Sequence, residues 1–350
     1  MIGIITIIDN NNYGNRLQNY ALSKTLKKYK KVQTLNNESF SNSKKMYFFR
    51  KIKNLRFKGT YSENLRRKEN FISFNKNIDF ADKRINAFSD SKEFEYTIVG
   101  SDQVWNPDFG RLRNVDLLTF VEPEKRISYA ASFGINEIPE NLKKTVSKEL
   151  KKFKAISVRE DRGKEIGEEL TGRKDIEVLV DPTMLLTSEE WDKVSKKPTM
   201  LKKDKYILNY FLGELSEERK NEIERIAKEN NCEIINILDK NSPFYECGPS
   251  EFLYLEKNAF LICTDSFHSS VFAILYNRPF IIFDREQKNL VNMNSRLETL
   301  IKKFKLKDRK FEGKITEKNL NHDYTEAYKI LEEEREKSDK FLKKALDINE

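Results

Sequence analysis

Short apolar segments that alternate with longer helical segments constrain the fold of this chain most. Strands that are apolar on both faces and separated by helices are typical of parallel sheets covered on both sides. We therefore expect an α/β protein with two Rossmann-like domains that face a cleft, followed by C-terminal helices. The predicted strands are Ile2–Ile8, Lys31–Leu35, Tyr96–Val99, Arg126–Ala130, Ala155–Val158, Glu177–Val180, Tyr206–Phe211, Glu233–Ile237, Phe260–Cys263 and Phe280–Phe283.

A lysine-rich linker, residues 193–205, divides the two halves. We expect an N-terminal Rossmann-like domain over 1–190, a C-terminal Rossmann-like domain over 200–320, and a charged C-terminal helix within 321–350. Residues 40–95 break the strand–helix rhythm and are predicted to be a basic-aromatic insertion in the first domain.

The positive charge of the chain is regional. The net charge is +9, but residues 24–70 hold fifteen Lys or Arg against three Glu, a local charge of +12. Such a region attracts anionic surfaces and acidic substrates. Within it, residues 44–57 place Met46, Phe49, Ile52 and Leu55 at three-residue steps between basic residues. This pattern predicts either a helix lying on anionic lipid or a helix packed on the first domain.

The sequence indicates a cytoplasmic protein, with residues 44–57 as the candidate contact to the inner face of the membrane. No run of eighteen apolar residues occurs, and the apolar start reads as a strand rather than a signal peptide. The three cysteines lie far apart, which fits reduced thiols.

The segment from Phe260 to Leu275 is the main candidate site. A buried strand leads through a polar turn into a predicted helix with an apolar stripe, and its first turn carries Ser266, His268, Ser269 and Ser270. A helix start attracts anions, and a histidine can transfer protons near neutral pH. The alternative is an ordinary histidine at a helix start.

Other polar residues follow predicted strands of the first half, where ligands of open α/β sheets bind. Each also has a structural interpretation: Arg159 could form a surface salt bridge with Glu160 or Asp161, and Asp102 could cap a helix or brace a loop. The candidates at these ends are Asn15, Arg16, Ser101, Asp102, Gln103 and Arg159.

Several functional classes lack support. There is no metal-ligand spacing, so we expect no metal. There is no phosphate-binding lysine loop, dinucleotide fingerprint or nucleophile elbow. No familiar nucleic-acid motif is present, and we expect no nucleic-acid partner.

Seven motifs, taken together and in order, resemble the polysaccharide pyruvyl transferase family from about residue 2 to residue 306. They are Tyr13–Leu22, Gly100–Asn106, Ser128–Gly134, Ser157–Asp161, Asp181–Thr183, Gly248–Leu253 and Thr264–His268. The resemblance implies a GT-B-like fold, with the acceptor on the first domain and the donor on the second. It also implies transfer of pyruvate from phosphoenolpyruvate to a sugar as a ketal, without a further cofactor.

The resemblance also assigns roles to residues. His268 resembles the histidine of the family's donor site, and Arg159 resembles its arginine. Lys288 is a looser match to a basic residue, for which Arg285 competes, and Asn15 stands where members often carry an acidic residue. With the chemistry of the reaction, this predicts His268 and Asp102 as catalytic. Donor contacts are expected from Arg159, Ser266, Ser269, Ser270 and Lys288, and cleft loops with Asn15, Arg16, Ser101 and Gln103.

Two other functions stay open at this point. A GT-B-type glycosyltransferase that uses a nucleotide sugar would share the fold and the positive helix start. A non-catalytic protein could bind anionic surfaces through residues 24–70. The expected acceptor is a saccharide, either free or lipid-linked.

Overall fold

The computed structural model describes residues 1–37, 60–85, 91–285 and 295–348. The strands are β1 Ile2–Ile5, β2 Val32–Asn36, β3 Phe80–Arg84, β4 Tyr96–Val99, β5 Arg126–Ala131, β6 Ala155–Val158, β7 Glu177–Val178, β8 Tyr206–Tyr210, β9 Glu233–Asn236, β10 Leu261–Thr264 and β11 Phe280–Ile282. The helices are α1 Tyr13–Leu26, α2 Thr60–Phe74, α3 Glu140–Leu150, α4 Asp161–Thr171, α5 Ser188–Asp192, α6 Glu217–Glu229, α7 Pro249–Asn258, α8 Phe267–Leu275, α9 Ser295–Lys303, α10 Glu317–Leu320 and α11 Thr325–Ala345.

The strands form two parallel sheets, which confirms the predicted α/β fold. The first sheet has the order β3-β2-β1-β4-β5-β6-β7, and the second has the order β11-β10-β8-β9. Every strand pair in both sheets is parallel. The arrangement of two domains about a cleft stays a prediction.

The chain divides into two compact units. Among the described residues, the first unit comprises 1–37, 75–85, 91–186 and 331–348, and the second comprises 60–74, 187–285 and 295–330. The units therefore interleave along the chain. The domain bounds 1–190, 200–320 and 321–350 stay a prediction.

Hydrogen bonds explain why α2 belongs to the second unit. Arg67 is 2% exposed, and its Nη1 donates to the carbonyl oxygens of Tyr245 and Cys247 at 3.0 and 3.3 Å. Asn70 Nδ2 donates to the carbonyl oxygen of Glu246 at 2.7 Å. These carbonyls belong to the loop before α7, so that part of the predicted insertion is anchored in the second unit.

The first sheet is covered on both faces, as its apolar strands require. One core cluster contains Ile5, Val99 and Trp105. The opposite cluster contains Ile4 and Ile98, and it also includes Leu342 of α11. The part of α11 from residue 331 onward therefore packs on the first sheet and belongs to the first unit.

Strand β3 was not predicted from the sequence. Its residues, Phe80 to Arg84, are half-buried or exposed, because the strand lies at the edge of the first sheet. An edge strand needs no continuous apolar run, so the periodicity that identifies central strands is missing here. No helix in the described part of the chain is both long and apolar enough to cross a membrane.

Candidate functional site

The sheet orders define where a ligand is expected in each unit. In the first sheet, the chain leaves β1 toward β2 on one side and later returns to β4 on the other side. In the second sheet, β8 has β9 on one side and β10 on the other. Ligands of open α/β sheets bind beyond the carboxyl ends of strands at such switch points. The loops after β1, β4, β8 and β10 are therefore the candidate regions.

Arg159 lies at the end of β6, where it binds two buried carboxylates. Its Nη1 donates to Asp181 Oδ2 at 2.7 Å, and its Nη2 donates to Asp102 Oδ1 at 2.9 Å. Burial lowers the pKa of this guanidinium, but the carboxylates of Asp102, Asp181 and Glu160 raise the pKa by more, so it lies above its ordinary value. With a side chain only 1% exposed, Arg159 belongs to a buried ion network and not to a surface salt bridge.

Ser101 belongs to the same network. Its Oγ is within 2.9 Å of Asp181 Oδ2 and of the carbonyl oxygen of Ala130. Its backbone N–H donates to Gln18 Oε1 at 2.9 Å, so that the loop after β4 is tied to α1. Ser101, Asp102 and Arg159 were predicted separately, and the structure brings them together around Asp181.

Asn15 and Arg16 shape the loop between β1 and α1. Asn12 caps α1 by accepting a hydrogen bond from the backbone N–H of Asn15, and Asn15 Nδ2 donates to Asp9. Arg16 is fully buried, and its Nη2 donates to the carbonyl oxygen of Ile7 at 2.6 Å. Both side chains therefore hold the end of β1 in place.

Gln103 lies beside a glycine that the turn requires. Its Oε1 accepts a hydrogen bond from Asn106 Nδ2 at 2.7 Å. Gly134 has a φ of +62°, and a Cβ there would lie 2.1 Å from Gln103 Oε1. Any larger residue at position 134 would displace Gln103, because the backbone and the amide approach each other this closely.

Arg111 is a cation at this edge that was not predicted as a site residue from the sequence. Its Nη2 lies 2.8 Å from Asp116 Oδ1, and its side chain is 12% exposed. Burial lowers the pKa of Arg111, and the carboxylates of Asp116, Asp9 and Asp102 oppose this shift only in part. From the sequence, Arg111 could have been identified as a site residue by its position in the loop after β4, eleven residues beyond Gly100.

In the second unit, Asp265 joins the loops after β8 and β10. Its carboxylate accepts hydrogen bonds from the backbone N–H groups of Leu212 and Gly213 at 2.7 and 2.8 Å. Arg285 Nε, after β11, also donates to Asp265 Oδ2 at 3.0 Å. Arg285 competed with Lys288 for a donor role, and the structure shows it bound to this internal carboxylate.

His268 lies in the first turn of α8, at the switch point of the second sheet. It is 6% exposed, and its ring meets the ring of Phe267 edge-on at 5.3 Å between centroids. Ser266 is the N-cap residue, and its backbone N–H donates to Thr264 Oγ1 at 3.0 Å. The first turn of any helix carries N–H groups without partners in the helix, and this end is positively polarised.

The two neighbouring serines use their hydroxyl groups inside the protein. Ser269 Oγ donates to Glu256 Oε1 at 2.6 Å. Ser270 Oγ donates to the carbonyl oxygen of Ser266 at 3.0 Å. Burial raises the pKa of Glu256 well above its ordinary value, and the hydrogen bond from Ser269 lowers it only in part. Glu256 was not identified from the sequence.

Two kinds of expectation remain: those about residues that the structure does not describe, and the one about metal binding. Lys288 and residues 44–57 lie outside the described residues. Within the described residues, no group of three or more His, Cys, Asp or Glu side chains is placed to hold a metal ion. The structure thus gives one cluster of predicted residues in each unit: Ser101, Asp102 and Arg159 in the first, and Ser266, His268, Ser269 and Ser270 in the second.

Comparison with known proteins identifies a family whose model matches most of this chain. Residues 12–287 match the family model described as polysaccharide pyruvyl transferase. The comparison with curated proteins gives no match. Among solved structures, the chain is similar to the UDP-GlcNAc 2-epimerase of Methanocaldococcus jannaschii, solved in complex with UDP-GlcNAc and UDP. The identity is 16%, the alignment covers 95% of this chain and 98% of the epimerase, and the TM-score is 0.43.

Proposed function

Because the chain belongs to the polysaccharide pyruvyl transferase family, we propose that it moves pyruvate from phosphoenolpyruvate to a sugar of a cell-surface polysaccharide or its precursor, forming a ketal. The membership confirms the resemblance seen in the motifs and makes the protein a transferase. The donor, the acceptor and the roles of individual residues belong to the proposal.

The observation that carries the proposal is the position of His268. It is the single histidine of the stretch matched by the family model, and it stands in the first turn of α8 at a switch point. The positive end of a helix stabilises a phosphate, and an adjacent imidazole can transfer a proton. Since Ser269 and Ser270 direct their hydroxyl groups to protein acceptors, we assign the donor phosphate to the backbone N–H groups of this turn.

The reaction requires two bonds to one carbon. The first sugar hydroxyl oxygen bonds to C2 of phosphoenolpyruvate while the methylene carbon gains a proton. The second hydroxyl oxygen then bonds to the same carbon as the phosphate leaves. Of the two hydroxyl protons, one is balanced by the new methyl group and the other by inorganic phosphate. His268 serves one of these transfers, either to the methylene carbon or to the leaving phosphate.

Asp102 is the proposed base for the sugar hydroxyl. Arg159 holds its carboxylate through a 2.9 Å hydrogen bond, which fixes its orientation at the loop after β4. Arg159 was expected to contact the donor. Because its side chain is 1% exposed and already pairs with two aspartates, a donor carboxylate can reach it only if the surrounding side chains move. Asn15, Arg16, Ser101 and Gln103 support the loops around this acceptor side.

The decisive test compares two histidine variants. His268→Ala should reduce pyruvyl transfer by roughly 10²- to 10⁴-fold, as the loss of a general acid or base does. The assay follows ¹⁴C from labelled phosphoenolpyruvate into the saccharide fraction of the source cells. His322→Ala is the matched control: the only other histidine contacts the carbonyl oxygen of Asn277 at 3.0 Å and should retain full activity.

A donor screen separates this function from its rival. Phosphoenolpyruvate should raise the melting temperature of the wild-type protein, because a ligand that binds the folded state stabilises it. Stabilisation by nucleotide sugars without stabilisation by phosphoenolpyruvate would favour a glycosyltransferase. A folded His268→Ala protein with unchanged turnover would refute the catalytic assignment.

A further inference from the structure

Arg111, in the loop after β4, presents a terminal nitrogen that the protein itself does not use. Its Nε and Nη2 atoms are fully buried, and Nη2 lies 2.8 Å from Asp116 Oδ1. Nη1 is neither fully buried nor hydrogen-bonded to any described residue, and the side chain as a whole is 12% exposed. A guanidinium carries its donors in a fixed fork, so Nη1 can donate to a ligand while Asp116 holds the other edge of the group.

The protein fixes the position of this guanidinium from both ends. The backbone N–H of Arg111 donates to the carbonyl oxygen of Asn106 at 3.3 Å, and the buried side chain of Asn106 donates in turn to Gln103. Asp116 is fully buried, and its carbonyl oxygen accepts a hydrogen bond from Trp105 Nε1 at 3.0 Å. A group that is already ordered loses little conformational entropy on binding, so Arg111 is suited to contact a substrate.

Arg111 lies within electrostatic range of Asp102, the proposed base. Burial lowers the pKa of Arg111, and its ion-pair partner together with the carboxylates of Asp9 and Asp102 opposes that shift. The loop between the two residues is compact, because the N–H of Val104 donates to the carbonyl oxygen of Asp102 at 2.8 Å. Asp102 has a φ of +61°, which is uncommon for a residue other than glycine, and such backbone strain is concentrated at functional sites.

The charges around Arg111 favour an uncharged partner for Nη1. Three guanidinium groups meet four carboxylates here, a net charge of −1, so an additional anion would be repelled. A hydroxyl group, in contrast, can accept a hydrogen bond from the cation and donate one to a carboxylate at the same time. The charged groups are those of Arg111, Arg113, Arg159, Asp9, Asp102, Asp116 and Asp181.

We propose that Arg111 binds the acceptor sugar, with Nη1 donating to the oxygen of the hydroxyl group whose proton Asp102 accepts. This inference deepens the proposed pyruvyl transfer and rests on it. The proton of the hydroxyl passes to Asp102 while its oxygen bonds to C2 of phosphoenolpyruvate, whose methylene carbon gains a proton in the same step. A cationic donor on that oxygen makes the hydroxyl more acidic, which eases the transfer. The part of the acceptor bound here is an uncharged diol.

The first experiment replaces the cation and measures each substrate separately. In the assay of ¹⁴C transfer to the saccharide fraction, Arg111→Gln should raise the half-saturating amount of saccharide roughly ten- to hundredfold, as the loss of a hydrogen bond from a charged donor does. The half-saturating concentration of phosphoenolpyruvate should change by less than about twofold, because Arg111 contacts the acceptor alone.

Arg113→Gln is the matched control. Arg113 Nε and Nη2 donate to the same Asp116 at 2.8 and 3.0 Å, but the pKa of Arg113 responds to Asp116 and not to Asp9 or Asp102. This variant should leave both half-saturation values unchanged. Equal effects of the two variants on the saccharide, or an equal effect of Arg111→Gln on both substrates, would reduce Arg111 to a brace of its loop and overturn the proposal.

Salt dependence distinguishes a hydroxyl from an anion as the partner of Arg111. The factor by which Arg111→Gln raises the half-saturating amount of saccharide should be the same at about 50 and about 500 mM NaCl, because salt screens contacts between charges and not a hydrogen bond to a neutral group. A factor that falls toward one at high salt would show that Arg111 binds a phosphate or carboxylate, and would overturn the assignment.

Hydrogen exchange tests acceptor binding without transfer. The saccharide fraction, added without phosphoenolpyruvate, should slow exchange over residues 103–117 in the wild-type protein and leave this stretch unchanged in Arg111→Gln. The wild-type result decides if the variant does not fold. Pyruvyl transfer without this protection overturns the role of Arg111 alone. Protection in a protein that transfers no pyruvate refutes the proposed function and leaves the acceptor contact intact.

Discussion

Two buried carboxyl groups, one in each unit, are stabilised in opposite ways. Asp181 in the first unit is fully buried and accepts hydrogen bonds from Arg159 Nη1, Ser101 Oγ, and the N–H and hydroxyl of Thr183. Glu256 in the second unit is equally buried, accepts one hydrogen bond from Ser269, and has no partner for Oε2 within the described residues. An arginine compensates the first carboxylate, whereas burial favours the neutral form of the second.

This difference shows what each region can do. Arg159 and three further donors satisfy the carboxylate of Asp181. This carboxylate therefore holds the loops around it in one arrangement. Glu256, whose pKa is raised by burial, contacts the first turn of the helix that carries His268, and it is sensitive to pH and to the loss of its single donor. The first network therefore gives rigidity to the loops after β4 and β6, and the second couples α7 to α8.

Removal of Arg159 should have the largest effect on stability. Arg159→Met leaves the carboxylates of Asp102 and Asp181 buried without their cation, and breaking a buried ion pair in this way costs about 3–5 kcal/mol. Urea denaturation at pH 7 measures the loss. Arg162→Met is the control, since Arg162 forms half-exposed ion pairs with Glu165 and Glu169 that contribute less than about 1 kcal/mol. Equal stabilities of the two variants would contradict the contrast.

The raised pKa of Glu256 predicts a pH dependence. Its folded-state pKa is raised by burial, so between the ordinary carboxyl pKa and the raised value the unfolded chain has lost a proton that the folded protein retains. The contribution of Glu256 to the free energy of unfolding is therefore most favourable at acidic pH, below the ordinary carboxyl pKa. Between the ordinary and the raised pKa, this free energy falls by about 1.4 kcal/mol for each pH unit.

Glu256→Gln removes this dependence while keeping the size and the acceptor for Ser269. Relative to wild type, the variant should gain stability as the pH is raised above the ordinary carboxyl pKa, until the raised pKa of Glu256 is passed. Urea denaturation of the two proteins at four pH values measures the gain. Glu218→Gln, on the exposed surface of α6, provides the control. A wild-type protein and a Glu256→Gln variant with parallel pH profiles would show that Glu256 ionises normally.

Local patterns in the sequence were sufficient for much of the fold. Central strands such as β4 and β10 are continuous apolar segments, and the apolar stripe of α8 was visible at helical spacing. The position of His268 at a helix start followed from these two patterns and from the rule for strand ends.

Other features depend on contacts between distant segments and left no local pattern. Arg159 meets Asp102 from 57 residues away, and α2 meets the loop before α7 from nearly 180 residues away. Asn209 in β8 is another example, because a polar residue in a strand is ordinary until the packing of α6 shows that it is buried. Such features require the tertiary structure.

A matched pair of serine variants should give the smallest effects and compare the two regions most directly. Ser269→Ala removes the single hydrogen bond to Glu256 and leaves its buried carboxyl without a donor, at a cost of about 1–3 kcal/mol. Ser101→Ala removes one of four donors to Asp181, while Arg159 and Thr183 remain, and should cost only about 0.5–1.5 kcal/mol. Both hydroxyl groups are fully buried, so the loss of solvent exposure is the same in the two cases. Urea denaturation should rank Ser269→Ala as the less stable variant, and the reverse order would mean that Asp181 depends on each of its donors more than Glu256 depends on its one.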